Sequence, residues 1–314
     1  MQIYHYQRRD HIANFGDELN TWLWQQFLPE ALVQDDDSVL VGLGTLLNDL
    51  LPERLGKTRR VFIFSTGAGY ENKLKSIPPH WQLYCVRGPL TARRLKLPTD
   101  LAITDGAVLL RRVVPPRQSP SHAVGFIPHV HHATFAGDQW KSICQALGFH
   151  YIDPRWSVEE VIGAIQDSQL LLAEAMHGAI TADSLGVPWI PLTTSPRILS
   201  FKWQDWCTSI RQPYQPKYLP PLMPQYPPYG RGMRSGLRAA IHWSRTITQD
   251  NWRLSAQQDQ LARTLEKIVQ SGQTYLSDRV HLENLTQALE QKLSQLHKDA
   301  LAIPECHSAQ QLHR

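Results

Sequence analysis

Leu170-Leu-Leu-Ala173-Glu-Ala-Met-His177-Gly-Ala-Ile-Thr-Ala-Asp-Ser-Leu185-Gly-Val-Pro188-Trp-Ile-Pro-Leu192 is the stretch that decides the fold. The apolar run Leu170 to Ala173 predicts a strand that gives out into small residues. His177 to Leu185 then predicts a helix, and Pro188 to Leu192 a second strand. Strand, helix and strand in close succession make a βαβ unit, whose two strands run parallel in one sheet.

The alternation extends in both directions. Upstream, strands are predicted at Ala123 to Ile127 and His150 to Asp153, with helices at Gly137 to Leu147 and Ser157 to Gln166. Ahead of them Arg111-Arg-Val-Val-Pro-Pro-Arg-Gln-Ser-Pro120 is a proline-rich break and predicts a domain boundary. The chain before the break repeats the pattern. Its predicted strands are Ile3 to Tyr6, Ser38 to Gly42, Arg60 to Ser65 and Gln82 to Val86; its predicted helices are Asp17 to Phe27, Gly44 to Leu50 and Leu90 to Leu95. The expected fold is α/β, with two Rossmann-like domains facing a cleft in a GT-B-like arrangement and a C-terminal helical extension. The expected parts are residues 1–115, 120–210, a Pro/Tyr-rich linker or lid at 211–235, and the extension at 236–314. Pro220-Pro-Leu-Met-Pro-Gln-Tyr-Pro-Pro-Tyr229 excludes regular helix or a central strand. In the extension Leu282, Leu285, Leu289, Leu293 and Leu296 form one apolar helical stripe. It reads either as packing back across its own domains or as a dimer seam.

Composition narrows the class. A chain of 314 residues with 42% hydrophobic and 19% charged residues can bury a core, which excludes wholesale disorder. A net charge of +4, spread along the chain, is no nucleic-acid footprint, though it favours anionic partners. The cysteines Cys85, Cys144, Cys207 and Cys306 form no CxxC pair, so neither a zinc knuckle nor a disulfide scaffold is expected, and a reducing cytoplasm fits. No signal peptide pattern opens the chain, and no window reaches the roughly 18 apolar residues that span a bilayer.

Five segments hold the candidate chemistry. Asn14-Phe-Gly-Asp17 follows the first strand: it reads as ordinary helix capping, or as backbone N–H groups and a carboxylate set where α/β folds bind ligands. Ser65-Thr-Gly67-Ala-Gly-Tyr70 offers glycines for close approach to a phosphate or sugar, or simple turn geometry. Arg87 ends a strand and can grip a carboxylate or phosphate with two prongs, or cap its own loop. In Ile127-Pro-His129-Val-His131-His132, His129 suits an anion or substrate, or the three are solvated loop histidines; a metal site is possible because His129 and His131 alternate onto one strand face, yet no nearby carboxylate completes a ligand set. His177 stands at a helix start, where it can hold a phosphate and hand over a proton, or be a buried structural histidine.

Taken in order, the Asn-x-Gly-Asp turn, Val86-Arg87, the aspartate of Ile103-Thr-Asp-Gly106 and the His177 helix start resemble the polysaccharide pyruvyl transferase family, over roughly residues 1 to 200. Asn14-Phe-Gly-Asp17, Val41-Gly-Leu-Gly-Thr45 and Glu174-Ala-Met-His-Gly178 agree with its branch linked to succinoglycan-type bacterial exopolysaccharides. The resemblance implies phosphoenolpyruvate as donor substrate, with no cofactor and no metal, and a sugar or lipid-linked oligosaccharide acceptor. The N-terminal domain would take the acceptor and the second domain the donor. Many members carry Ser-x-Arg-x-His before this helix, whereas here Ala175 stands at the arginine position, so Arg197 and Lys202 are the candidate replacements.

The expected site is therefore His177 with Asp17 and Glu174 as acid and base, and Arg87, His129, Arg197, Lys202, Asn14 and Gly67 as substrate-binding groups. Trp203, in Phe201-Lys-Trp-Gln-Asp-Trp206, is the candidate acceptor platform. The expected place of work is the cytoplasm, with peripheral contact at the inner face of the plasma membrane and a homo-oligomer left open. Two other readings share these residues: a GT-B-type glycosyltransferase with a nucleotide-sugar diphosphate at the His177 helix, and a non-catalytic glycan-binding protein using the aromatic tract.

Overall fold

The computed structural model describes residues 1–8, 10–35, 37–56, 60–116, 119–194, 198–220, 222 and 251–302, without the side chains of 251–256. Two parallel sheets organise it. The first has the order β1 (Gln2–Tyr4), β2 (Ser38–Val41), β3 (Arg60–Phe64), β4 (Trp81–Cys85). Its inner strands are continuous apolar runs because helices cover both faces: every residue of β2 is buried. One face packs Leu40, Phe62 and Phe64 beneath α1 (Phe15–Gln25); the other packs Val39, Val41, Val61 and Ile63 against Leu51 and Leu55 of α3 (Leu51–Leu55). A short α2 (Glu30–Val33) precedes β2, and α4 (Pro89–Leu95) follows β4.

A 3-10 turn, Gly106–Leu109, and α5 (Leu110–Val113) lead to the second sheet. Its strands are β5 (His122–Ile127), β6 (His150–Tyr151), β7 (Ser168–Ala173), β8 (Trp189–Thr193) and β9 (Lys217–Tyr218), in the order β6-β5-β7-β8-β9. The chain leaves β5 through α6 (Val130–Leu147) toward one face, and β7 through α8 (Met176–Ser184) toward the other. Trp140 and Ile143 of α6 join one core, Met176 and Ile180 of α8 another. The strand order thus reverses between β5 and β7, and such a switch point opens a crevice at the carboxyl ends of the strands. Between these helices α7 (Val158–Gln166) starts on a full capping box, Ser157 with Glu160.

The α/β class and the paired parallel sheets are as expected. Two helices are not where periodicity puts them. Residues 44–50 form turns rather than a helix, with Asn48 bridging Lys73, and α6 begins at Val130 instead of Gly137. The second error has a local cause: Ala136 leaves helical geometry (φ −137°), so the pattern after the kink reads as a fresh start. Of the Pro/Tyr-rich segment, residues 223–229 lie outside the described residues; within it β9 sits at the sheet edge, where proline-rich chain is tolerated. The helices α9 (Ser200–Ser209), α10 (Asn251–Gln270) and α11 (Arg279–Leu301) complete the described chain. The leucine stripe of α11 is buried against β4, the 3-10 turn and α2 of its own chain. No helix among the described residues is long and apolar enough to cross a membrane.

Candidate functional site

Each strand that feeds the switch point ends in a polar residue. After β7 comes Glu174, then α8 with His177 in its first turn; after β5 comes His129, the N-cap of α6; after β8 comes Thr194; after β1 come His5 and Arg8. The two sheets meet here. The Phe15 N–H at the start of α1 donates to the Pro154 carbonyl (2.7 Å), and Arg8 Nη2 lies 3.4 Å from His131 Nδ1.

His177 fits because residue 16 is glycine: a Cβ there would overlap the imidazole at Nδ1. Its Nε2 is buried without a hydrogen-bond partner and lies 3.7 Å from Asp105 Oδ2, itself buried and unpartnered. Asp17, in the first turn of α1, is partly exposed, and the burial it does have raises its carboxyl above the ordinary range. Asn14, His177, His5 and Lys202 act in the opposite direction without cancelling that effect. Asn14 Nδ2 donates to Asp17 Oδ2 (2.7 Å) instead of capping the helix.

Glu174 behaves differently. Burial alone would raise its carboxyl, but the hydrogen bonds and charge of His132, with Thr194 and the His129 N–H, outweigh it and hold the group below the ordinary range. One oxygen accepts from the Thr194 N–H (2.9 Å) and hydroxyl (2.6 Å); the other accepts from the His129 N–H (2.9 Å) and meets His132 Nδ1 (2.6 Å). Its acceptor positions are taken up in joining β5, β7 and β8, so Glu174 is a brace rather than a base. His132 and Thr194 were not singled out from sequence, since their partner is 42 and 20 residues away.

The histidines after β5 lie at a helix start and not on a strand face. His129 stacks on His131, with ring centroids 5.1 Å apart. Burial pushes the basicity of both well down, that of His131 to about 4, and the positive charges of Lys202 and Arg8 push the same way. Arg8 is the cation in contact with His131, and Asp10, which pairs with that guanidinium, acts on the ring in the opposite direction. Lys202, in the first turn of α9, also stands 5.6 Å over the Tyr70 ring. An open pocket of ≈ 260 Å³ borders the cluster, lined by His5, Tyr6, Arg8, His11, Asn14 and Asp17 among others. Among the described residues, no group of three or more His, Cys, Asp or Glu is arranged to hold a metal.

Three expected contacts are placed elsewhere. Arg87 is fully buried: Nε bonds Asp205 (3.0 Å), Nη1 the Gly44 carbonyl and Thr45 hydroxyl, and Nη2 the Ala68 carbonyl. Its fork is spent inside the chain, because a buried guanidinium must find an internal anion. Gly67 makes room for that same guanidinium and not for a ligand. Trp203 is fully buried, stacked 5.3 Å from Tyr214 and packed against Trp189 and Trp206, so it presents no face to a sugar. Ala175 is the N-cap of α8 with no side-chain cap. Arg197 lies outside the described residues.

Residues 4–196 match the profile of polysaccharide pyruvyl transferase. The chain belongs to that family. The matched span runs from the end of β1 to just beyond β8 and takes in Asp17, Asp105, Glu174 and His177. It stops before Lys202. The chain is also 41% identical over 211 residues to the succinoglycan biosynthesis protein ExoV of Rhizobium meliloti (strain 1021). That match covers 66% of this chain and 65% of the relative, so the chain spans less than two thirds of the relative's length. The family segment supplies both sheets up to β8 and most of the cluster, while α9 to α11 lie beyond it.

Proposed function

We propose that the chain transfers pyruvate from phosphoenolpyruvate to a sugar of a bacterial exopolysaccharide or related glycan intermediate, forming a ketal. The observation that carries this reading is His177 in the first turn of α8, at the switch point of the second sheet, with His129 and His131 at the start of α6, all within the span that matches the family. Phosphoenolpyruvate brings a phosphate and a carboxylate, and both need cationic or N–H donors in a partly dry site. The start of α8, with His177, is the phosphate seat. Lys202 supplies charge where Ala175 carries none, and Arg8, held by Asp10, borders the same histidines. The two sheets then stand as GT-B-like halves, with the donor on the second and the acceptor at the His5 to Asp17 pocket.

The reaction balances in two additions. An acid gives a proton to the methylene carbon of the donor, the adjacent carbon becomes cationic, and a sugar hydroxyl adds to it, its proton passing to a base. The phosphate then leaves with the C–O bonding pair, and a second hydroxyl of the sugar closes the ketal and loses its proton. His177 and Asp17 are the two groups for these transfers: His177 lies at the anion seat, and Asp17 is a carboxyl whose burial brings it nearer the working pH. The test is incubation with phosphoenolpyruvate and a lipid-linked or soluble glycan. The expected result is one phosphate released per pyruvyl group gained by the glycan, measured by phosphate assay and mass spectrometry. Glycosyl gain from a nucleotide-sugar instead would place the chain's chemistry with the glycosyltransferases.

A further inference from the structure

His177 and Asp105 face each other from different layers of the molecule. Asp105 closes the loop ahead of the 3-10 turn, and one oxygen, Oδ1, accepts from the Ala107 N–H (3.0 Å). The other, Oδ2, has no hydrogen-bond partner although the residue is fully buried, and His177 Nε2 lies 3.7 Å from it. That nitrogen is also enclosed without a partner. Two complementary groups orphaned face to face cost more than either alone, since each has lost its water without gaining a hydrogen bond. The packing holds them there. Gly16 blocks no part of the ring at Nδ1, Gly106 leaves room for Ser65 Oγ beside the aspartate, and Ser65 itself sits at φ 61° at the end of β3.

We infer that Asp105 is a positioning residue for His177, taking the Nε2 proton and leaving Nδ1 as the working nitrogen. A carboxylate behind an imidazole fixes its tautomer and favours the charged ring, as partners behind metal-bound or catalytic histidines do. The titratable groups around the ring among the described residues are Asp105 from the loop and Asp17 from α1, with His5 and Lys202 acting in turn on Asp17. Asp17 stays in place when Asp105 is changed, so the effect of Asp105 can be read separately. The inference rests on the proposed function only for its kinetic consequence; the tautomer of His177 is a property of the free protein.

The experiment is nitrogen-15 NMR of histidine-labelled full chain, the His177 signals being assigned by their loss in His177→Ala. In the unaltered protein the neutral ring should carry its proton on Nε2. In Asp105→Asn, which keeps the shape and an acceptor for the Ala107 N–H, the amide N–H faces Nε2 in place of a carboxylate oxygen, and the ring proton should move to Nδ1. In the same variant the turnover number of pyruvyl transfer should drop about ten- to a hundredfold with KM for phosphoenolpyruvate nearly unchanged. A proton on Nδ1 in the unaltered protein, or a tautomer unmoved by Asp105→Asn, overturns the inference. Should Asp105→Asn fail to fold, the tautomer of the unaltered protein decides alone. Absence of pyruvyl transfer with the predicted tautomer and its predicted change overturns the proposed function and leaves the pair standing.

Discussion

Asp17 and Glu174 are carboxylates whose surroundings drive them in opposite directions. Glu174 is buried and fully bonded, whereas Asp17 is partly exposed, has one amide partner, and is raised chiefly by the burial it does have. Its folded pKa therefore lies above the ordinary 3.8. Between the two values the native state holds more protons than the unfolded chain, so this contribution to stability is full below the unfolded value and is lost as pH rises through the folded one. Asp17→Asn has no charge to bury. It should melt higher than the unaltered protein at about pH 8 and no higher at about pH 4, by scanning calorimetry; the same gap at both pH values would show that burial is not what moves the group. At Gly16 the prediction is steric. Gly16→Ala drives a methyl group into His177 Nδ1, and kcat/KM should fall about tenfold or more, roughly 1.4 kcal/mol per decade. Unchanged kinetics would place His177 outside the reaction. Sequence showed Asp17, Glu174, His129 and His177 because each sits just past a legible strand. It did not show that Glu174 is fully bonded, because its partners come from two other loops.

At the scale of elements, α4 and α9 are joined by one buried network. Asp205 of α9 accepts from Arg87 Nε, from the Thr91 N–H (2.9 Å) and from the Thr91 hydroxyl (2.6 Å), and Gly88 leaves no space for a side chain against it. Removing one partner of such a pair strands the other in a dry interior, at a cost of about 3–5 kcal/mol. Arg87→Ala should accordingly lower the denaturant midpoint steeply, while any folded fraction still binds phosphoenolpyruvate. A stable variant that has lost binding would return Arg87 to the donor clamp. An arginine at a strand end looks the same in sequence whether it points at a ligand or into the fold. The deciding residue, Asp205, is 118 positions away. The strands β1 to β8 were legible to within a residue or two because each carries a run of mostly apolar residues; β9 was not, since it lies in the Pro/Tyr-rich stretch that reads as linker. The turn at residues 44–50 was not, since Leu43, Leu46, Leu47 and Leu51 mimic helical spacing while packing beneath a loop that wraps Arg87.

For the whole molecule, α11 closes the first sheet. Arg112 bonds Glu283 and Glu290 on it, Tyr84 donates to Asp299, and Leu282, Leu289, Leu293 and Leu296 are buried along one stripe. Leu289→Ala should cost about 2–5 kcal/mol with no change in oligomeric state, read by urea unfolding and light scattering; loss of a dimer with little loss of protomer stability would assign the stripe to a seam. Its periodicity was plain in sequence, but periodicity names a buried face without naming what buries it. The same limit applies to function, where the order of motifs pointed to the family and left open which ligand the residues at the strand ends take. The central claim is that this site takes phosphoenolpyruvate, and calorimetric titration with that compound tests it most directly, beside a panel of nucleotide-sugars and with Lys202→Ala and His177→Ala as companions. The account predicts saturable binding of phosphoenolpyruvate that both variants weaken about tenfold or more, as loss of a charge-assisted contact requires. Binding of nucleotide-sugars alone, or phosphoenolpyruvate binding indifferent to both variants, would contradict it.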